Sequence, residues 1–341
     1  QQENIMFKHT KNLCFIVLIT FQSYAQEFHT RVEHRQFKGR NDIKIVYTKY
    51  GSQTGHLGSV IISPGRTESS LKYEEVSIDL IREGFSPVFV INHRGQGLSE
   101  RMLEDPHKGH VSKFENYYYD FNTFTKLAFK DESINRNNVY LLAHSMGGAI
   151  ATGFLQNYGI KSFKGVILSS PMLGIKFKNK SETRVLMETL VACKTPFGPD
   201  CNDYADKKEY SEINDQFEGN SNTSSLERFE RRKKQWQRYP QLQLGGPTIR
   251  WVRESIKANR KMRKTSKIRL IKKLPLLLLQ AQNDITVNNS SQNTFCSTTN
   301  ILGGNCTLEK IPNAKHEILM EADDIRRLGM NHIIEFMKMY N

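Results

Sequence analysis

Apolar residues along this chain follow two alternating patterns. Short, nearly unbroken apolar runs predict buried strands, at residues 58–63, 87–92, 139–143, 163–171, 274–280 and 305–311. Apolar residues spaced three or four apart predict intervening helices, including those ending at Gly84 and covering 117–129 and 323–340. Before them, residues 33–51 alternate polar and apolar positions, which predicts an antiparallel hairpin. The pattern indicates an α/β fold with a mostly parallel sheet covered by helices on both faces.

The run at 139–143 leads into a serine-containing turn. It continues as His144-Ser145-Met146-Gly147-Gly148, followed by a helical pattern. Strand, tight turn and helix form the context of a G-x-S-x-G nucleophile elbow, here with Ala143 in place of the first glycine. A Ser-Gly-Gly loop without catalytic function would have the same five residues, so the rest of the chain must decide.

Two further polar groups follow later strands. Asp284 comes after the strand ending at residue 280, and His316 comes after the last strand. Ligands in such sheets bind at the carboxyl ends of the strands, and the order Ser, Asp, His is typical of α/β hydrolases. We expect Ser145 as nucleophile, His316 as base and Asp284 as the acid that orients the base. Asp284 could instead cap the next helix, and Asp131 and Asp215 are rival acids.

An oxyanion hole requires two N–H donors near the nucleophile. The expected donors are the backbone N–H groups of Met146 and Arg66, with Gly65 leaving the backbone room to approach the substrate. His144 is expected to be a packed neighbour and not the base, since adjacent side chains at an elbow diverge.

A long insertion separates the strands that end near residues 171 and 280. The predicted hydrolase core comprises 26–172 and 274–341, and the predicted helical cap comprises 173–273. Residues 176–273 hold 24 Lys and Arg against 12 Asp and Glu, nearly all of the chain's net charge of +14. Such a surface suits anionic membranes or phosphate-bearing substrates, although solvated helix faces have the same composition. The candidate lid or substrate residues are Arg231, Arg232, Trp236 and Trp251. No nucleic-acid-binding motif accompanies the charge.

The first 25 residues resemble a signal peptide. Met6 looks like the start, Lys8 and Lys11 precede an apolar segment at 13–21, and Ser23-Tyr24-Ala25 is a small-x-small cleavage site. The alternative is an uncleaved anchor. Export to the periplasm, or to its membrane face, is therefore expected.

Cysteine spacing agrees with an oxidising compartment. Beyond Cys14, four cysteines form two close pairs, Cys193 with Cys201 and Cys296 with Cys306. Three connectivities are possible, and local pairing is the simplest. Neither spacing is that of a metal site.

Several motifs together resemble the bacterial lysophospholipases of the α/β-hydrolase superfamily and the related monoacylglycerol lipases. These motifs are SPGRTES at 63–69 with Lys72-Tyr73, HRGQGLS at 93–99, AHSMGG at 143–148, LQLGGPT at 242–248 with Trp251, and AKHEIL at 314–319. The resemblance implies cofactor-independent hydrolysis of the acyl ester of a lysophospholipid, and it gives Ser145, Asp284 and His316 the roles expected above. Monoacylglycerol lipase or general esterase activity, a peptidase or amidase, and a non-catalytic lipid-binding protein remain alternatives.

Overall fold

The computed structural model describes residues 15–17, 30–194, 200–206, 209–211 and 215–341. A nine-stranded sheet forms its centre, in the order β1-β2-β3-β5-β4-β6-β7-β8-β9. The strands are β1 Phe15–Val17, β2 Val32–Lys38, β3 Lys44–Tyr50, β4 Gly58–Ser63, β5 Phe85–Ile91, β6 Val139–His144, β7 Gly165–Ser169, β8 Leu276–Ala281 and β9 Cys306–Ile311. Strands β2 and β3 form the expected antiparallel hairpin, and β4 to β9 are parallel.

Helices cover both faces of this sheet. They are α1 Glu74–Arg82, α2 Glu115–Phe129, α3 Met146–Tyr158, α4 Glu182–Ala192, α5 Leu226–Arg238, α6 Ile249–Met262, α7 Thr265–Ile268, α8 Asn289–Ile301 and α9 Asp323–Met339. Consecutive strand residues enter opposite cores: Leu141 packs on the side of α2 and α3, and Leu142 packs on the side of α1 and α9. Burial on both faces explains why the strands read as continuous apolar runs.

The expected strands and helices differ from the observed ones mainly at their ends. Strand β5 begins at Phe85, before Pro87, because Phe85 pairs with Gly58 of β4. The first predicted helix is a short 3-10 turn at Ser70–Tyr73 followed by α1.

Helices α4 to α7 lie in the insertion between β7 and β8. Val252 and Ile256 on the apolar face of α6 belong to the buried core on the α3 side of the sheet. Helix α5 is held to the core by charge, since Arg228 pairs with Glu75 of α1 at 2.6 Å and with Asp323 of α9 at 2.7 Å. The insertion is thus attached to the core at two separate places, by apolar packing of α6 and by ion pairs of α5.

Both local disulfides are present, Cys193–Cys201 and Cys296–Cys306. Of the predicted signal peptide at 1–25, only β1 lies within the described residues. Within the described part of the chain, no helix combines the length and apolar character needed to cross a membrane.

Candidate active site

Ser145 occupies the sharp turn between β6 and α3. Its backbone angles are φ 51° and ψ −119°, a conformation that L-residues rarely adopt. The turn is fixed by hydrogen bonds from Ser145 N–H to the Ser169 carbonyl (3.1 Å) and from Met172 N–H to the Ser145 carbonyl (2.9 Å). A Cβ on Gly147 would lie 2.0 Å from the Ser63 carbonyl oxygen, so a side chain there would collide with backbone. This is the close approach that the elbow motif requires.

Ser145, His316 and Asp284 form a continuous hydrogen-bonded chain. The distance from His316 Nε2 to Ser145 Oγ is 2.8 Å, and that from His316 Nδ1 to Asp284 Oδ2 is 2.7 Å. All three are buried, with relative exposures of 7%, 5% and 5% in the order Ser, His, Asp. The loops carrying His316 and Asp284 are themselves joined, because Asn283 N–H donates to the Ala314 carbonyl at 2.9 Å.

Asp284 is held in its ionised form. Burial by itself would raise the pKa of this carboxyl, but the His316 hydrogen bond and charge, with two backbone donors, outweigh burial and lower the pKa. The backbone donors are Thr286 N–H at 2.7 Å and Val287 N–H at 3.0 Å. An ionised carboxylate at this position fixes the His316 ring and can stabilise its protonated form.

Of the two expected oxyanion donors, Met146 comes directly after Ser145, and Arg66 comes directly after Gly65, which approaches Ser145. Gly65 approaches so closely that an added Cβ would be 3.1 Å from the Ser145 Cβ. Within the described residues, no hydrogen bond from the N–H of either Arg66 or Met146 to a protein acceptor is found. These two N–H groups remain the expected oxyanion donors.

The loop that carries Arg66 is supported by side chains of two sequence motifs. Gln96 Nε2 donates to the carbonyls of Gly65 (2.7 Å) and Glu68 (2.9 Å). Glu68 accepts from Gly65 N–H, and it also accepts from the Tyr73 hydroxyl at 2.8 Å. These bonds give the loop a fixed path beside the nucleophile.

Glu68 belongs to a buried charged network that the sequence analysis did not assign. Lys72 Nζ lies 2.7 Å from carboxylate oxygens of both Glu68 and Glu317. His144 Nδ1 lies 3.1 Å from Glu68 Oε2. Burial would raise the pKa of Glu68, but Lys72 and His144 outweigh burial and hold this pKa well below its ordinary value. The helical spacing of Glu68 and Lys72, four residues apart, was the one available signal for this pair.

The rival acids are engaged elsewhere. Asp131 binds Arg35 at 2.7 Å and Lys49 at 2.8 Å. Asp215 binds Arg232 at 2.8 Å. Of the three candidate acids, Asp284 is the one that contacts His316.

The candidate residues of the insertion have protein partners. Arg231 pairs with Glu75 at 2.8 Å, and Arg232 lies over the rings of Phe229 and Trp236. Trp236 is buried, as is Trp251, which lies beneath the guanidinium of Arg66 at 5.6 Å from ring centroid to Cζ. Of the four, Trp251 is linked most directly to the catalytic loop, and contact of any of them with substrate stays a prediction.

A family model described as "Serine aminopeptidase, S33" matches residues 55–323, and this range contains Ser145, Asp284 and His316. The chain belongs to the serine aminopeptidase S33 family. The resemblance to lysophospholipases is confirmed by relatives of this S33 chain. Lysophospholipase L2 of Escherichia coli K12 is 34% identical over 322 residues, covering 92% of this chain and 90% of the relative. Probable lysophospholipase L2 of Haemophilus influenzae is 31% identical over 313 residues, covering 91% and 93%.

Solved structures confirm the α/β-hydrolase fold of this S33 member. A monoglyceride lipase of Saccharomyces cerevisiae has a TM-score of 0.68 at 16% identity, covering 94% of this chain and 100% of the other. A monoacylglycerol lipase of Paleococcus ferrophilus has a TM-score of 0.65 at 17% identity, covering 87% and 99%. The chain is therefore a hydrolase of the lysophospholipase and esterase type. Across the described residues, no group of three or more His, Cys, Asp or Glu is arranged to hold a metal ion.

Proposed function

We propose that this protein is a serine lysophospholipase that cleaves the acyl ester of lysophospholipids. The observation that carries the proposal is the hydrogen-bonded chain from Ser145 through His316 to Asp284. Lysophospholipase L2 relatives matched over nine tenths of the chain support the substrate class.

The geometry supports a two-step acyl transfer. His316 Nε2 takes the proton from Ser145 Oγ as the oxygen attacks the ester carbonyl. The N–H groups of Met146 and Arg66 bind the developing oxyanion. His316 then gives the proton to the departing glycerol oxygen, and the carbonyl re-forms as an acyl-serine ester. Water then attacks this ester and gives a proton to His316, and His316 returns that proton to Ser145 Oγ as the fatty acid leaves.

We propose that residues 173–273 act as a cap over this site. Support comes from residues 221–223, which contact the loop of the base. His316 N–H donates to the Ser221 carbonyl at 3.2 Å, and Glu317 N–H donates to the Asn222 carbonyl at 2.8 Å. A cap in this position would exclude water while the acyl-enzyme forms.

An anionic membrane surface is the partner that we propose for helix α6. Basic residues recur along one side of the helix, at Arg250, Arg253, Lys257, Arg260 and Lys261, and Lys264 follows its C-terminus. With Lys113 they line a groove of about 690 Å³ that holds seven basic side chains and two acidic ones. The two acidic side chains form ion pairs with some of these cations, so they balance part of the charge and leave the groove cationic.

Vesicle binding tests the membrane proposal. Changing Lys257, Lys261 and Lys264 together to Gln removes about 1 kcal/mol of attraction per cation, which weakens binding to phosphatidylglycerol vesicles about a hundredfold. The matched control changes exposed Lys161, Lys164 and Lys310 to Gln. Equal binding by both triple variants, or binding that salt does not weaken, would refute α6 as the contact.

Export stays a proposal. It is supported by the signal-like first 25 residues and by the two disulfides, which form and persist in oxidising compartments.

Replacement of Ser145 by Ala tests the function. The variant should lose turnover of lysophosphatidylcholine and short p-nitrophenyl esters, as well as labelling by a fluorophosphonate probe. Undiminished turnover in Ser145→Ala would end the nucleophile assignment. A non-catalytic lipid-binding protein would leave the wild type unlabelled.

The family description favours one other candidate, an aminopeptidase or amidase. Wild-type rates on aminoacyl amides and on lysophosphatidylcholine, measured side by side, separate the two activities. Faster cleavage of the amides would replace the lipid assignment.

A further inference from the structure

The Arg66 side chain extends from the nucleophile's neighbouring loop into other segments of the fold. Arg66 follows Gly65 in the loop beside the nucleophile, and its guanidinium is enclosed by other segments of the fold. Cζ lies 5.6 Å from the ring centroid of Trp251, and Nη2 donates to the Gly245 carbonyl. An added Cβ on Gly109 would lie 2.7 Å from Nη2 and 3.1 Å from Nε. The absence of a side chain at Gly109 is what makes room for the guanidinium.

The charge of this guanidinium has no carboxylate in contact among the described residues. Its Nε is buried without a hydrogen-bond partner. By contrast, buried Arg94 lies 2.6 Å from Asp120, and partly buried Arg228 pairs with Glu75 and Asp323. Burial lowers the pKa of Arg66 to about 10, although the charge of Asp206 and two tyrosines, Tyr117 and Tyr204, opposes this through space. A buried cation without a counter-ion costs stability, which an anionic ligand would restore.

The position of Arg66 indicates which ligand this is. Its N–H is the proposed oxyanion donor, so the side chain starts beside the ester that reacts. In a lysophospholipid, the phosphate is joined to that ester through the short glycerol backbone. A monoacylglycerol has the same ester and glycerol but no phosphate. Lys72, another cation near the site, is already neutralised by Glu68 and Glu317.

We infer that the Arg66 guanidinium is a phosphate-binding subsite that makes the enzyme prefer lysophospholipids over neutral monoacylglycerols. The inference rests on the proposed function. Nε–H has no protein acceptor, so a phosphate oxygen could accept a charge-assisted hydrogen bond from it. Nη2, Gly245 and Trp251 hold the group in place, so little side-chain freedom is lost on binding.

Paired substrates test the inference. Lysophosphatidylcholine and a monoacylglycerol of the same acyl chain are compared in the same neutral detergent. In Arg66→Gln, the ratio of kcat/KM for the phospholipid to kcat/KM for the monoacylglycerol should fall at least about tenfold, because a shift of the oxyanion donor would lower both values and leave their ratio unchanged. The same ratio in Arg66→Lys should fall between those of wild type and Arg66→Gln, because lysine keeps the charge but lacks the planar guanidinium.

The outcomes separate this subsite from other roles. Equal losses of turnover on both substrates would show that the Arg66 side chain only holds the loop against the insertion. No loss on either substrate would also overturn the phosphate subsite. A wild type that hydrolyses neither substrate would refute the proposed function instead. Turnover of a short p-nitrophenyl ester reports whether each variant retains a folded site.

A second variant leaves Arg66 in place. Gly109→Ala puts a methyl group where the guanidinium lies, so it should lower the ratio of phospholipid to monoacylglycerol turnover about fivefold or more. sn-Glycerol 3-phosphate should competitively inhibit p-nitrophenyl ester turnover by wild type and not by Arg66→Gln, with glycerol as control. Inhibition of both proteins to the same extent would contradict the assignment.

Discussion

Two buried histidines lie side by side next to Ser145, each against a carboxylate. The rings of His316 and His144 have centroids 4.9 Å apart. His316 Nδ1 is 2.7 Å from Asp284, and His144 Nδ1 is 3.1 Å from Glu68. Residue type, burial and acidic partner are alike in the two pairs.

The pairs differ in what the second ring nitrogen contacts. His316 Nε2 reaches the Ser145 hydroxyl at 2.8 Å, whereas His144 Nε2 reaches the His316 backbone carbonyl at 3.2 Å. A hydroxyl can give up its proton to a base, but a carbonyl can only accept a hydrogen bond. The group that contacts the second ring nitrogen therefore decides whether a histidine–carboxylate pair is a candidate for catalysis. The His144 pair contacts the His316 backbone, so it is suited to positioning the loop that carries His316.

The largest expected effect comes from removing each histidine in turn. His316→Ala should lower kcat on a p-nitrophenyl ester by about 10⁵-fold, because it removes the base, whereas His144→Ala should lower kcat by about tenfold or less. Stopped-flow or steady-state assays measure both. Similar losses in the two variants would abolish the distinction between the pairs.

The two carboxylates should differ next. Asp284→Asn should cost about 10⁴-fold in kcat, since the amide favours the wrong ring tautomer of His316. Glu68→Gln should cost about 10- to 100-fold, because it loosens the loop that presents the Arg66 N–H and leaves that donor misplaced. A loss in Glu68→Gln as large as that in Asp284→Asn would assign Glu68 a more direct part in the reaction.

The smallest effect concerns stability and pH. Burial would lower the pKa of His144, but Glu68, through its charge and hydrogen bond, and the charge of Glu317 outweigh burial and the opposing Lys72, so this pKa is raised above 6.5. A raised folded-state pKa contributes stability that is complete below the unfolded value and is lost as pH rises through the folded one. His144→Asn should therefore destabilise the protein more at about pH 6 than at about pH 9.

Denaturant unfolding with the disulfides intact measures this difference. The lowered pKa of Glu68 gives a stability contribution with the opposite pH dependence, since it is present above the ordinary pKa of 4.5 and is lost as pH falls through the folded pKa. This contribution is therefore complete at both pH values of the experiment. The same free-energy difference between wild type and variant at both pH values would show that folding does not raise the pKa of His144.

The sequence predicted the central sheet and the three grouped residues because both follow local rules. Strands buried on both faces appear as apolar runs, and loops after parallel strands meet at one edge. That logic placed Asp284 and His316 correctly relative to Ser145 with no knowledge of distances.

The Glu68 network and the ion pairs of α5 were beyond the sequence analysis. Lys72 is neutralised by Glu317, and Arg228 by Glu75, which lies 153 positions away. No periodicity marks partners so remote. Charge counts predicted one basic surface, whereas the fold pairs several cations of both α5 and α6 with carboxylates of other segments.

The hydrogen bonds between residues 221–222 and the His316 loop have a mechanical consequence. Because His316 N–H and Glu317 N–H each donate to a carbonyl of the insertion, any outward swing of that segment would withdraw support from the proton acceptor. The position of residues 221–222 that admits a lipid would then differ from the position that holds His316 in place for catalysis. An enzyme built this way would be inactive in the open state, and it would regain the alignment of His316 only after the insertion closes over the acyl chain.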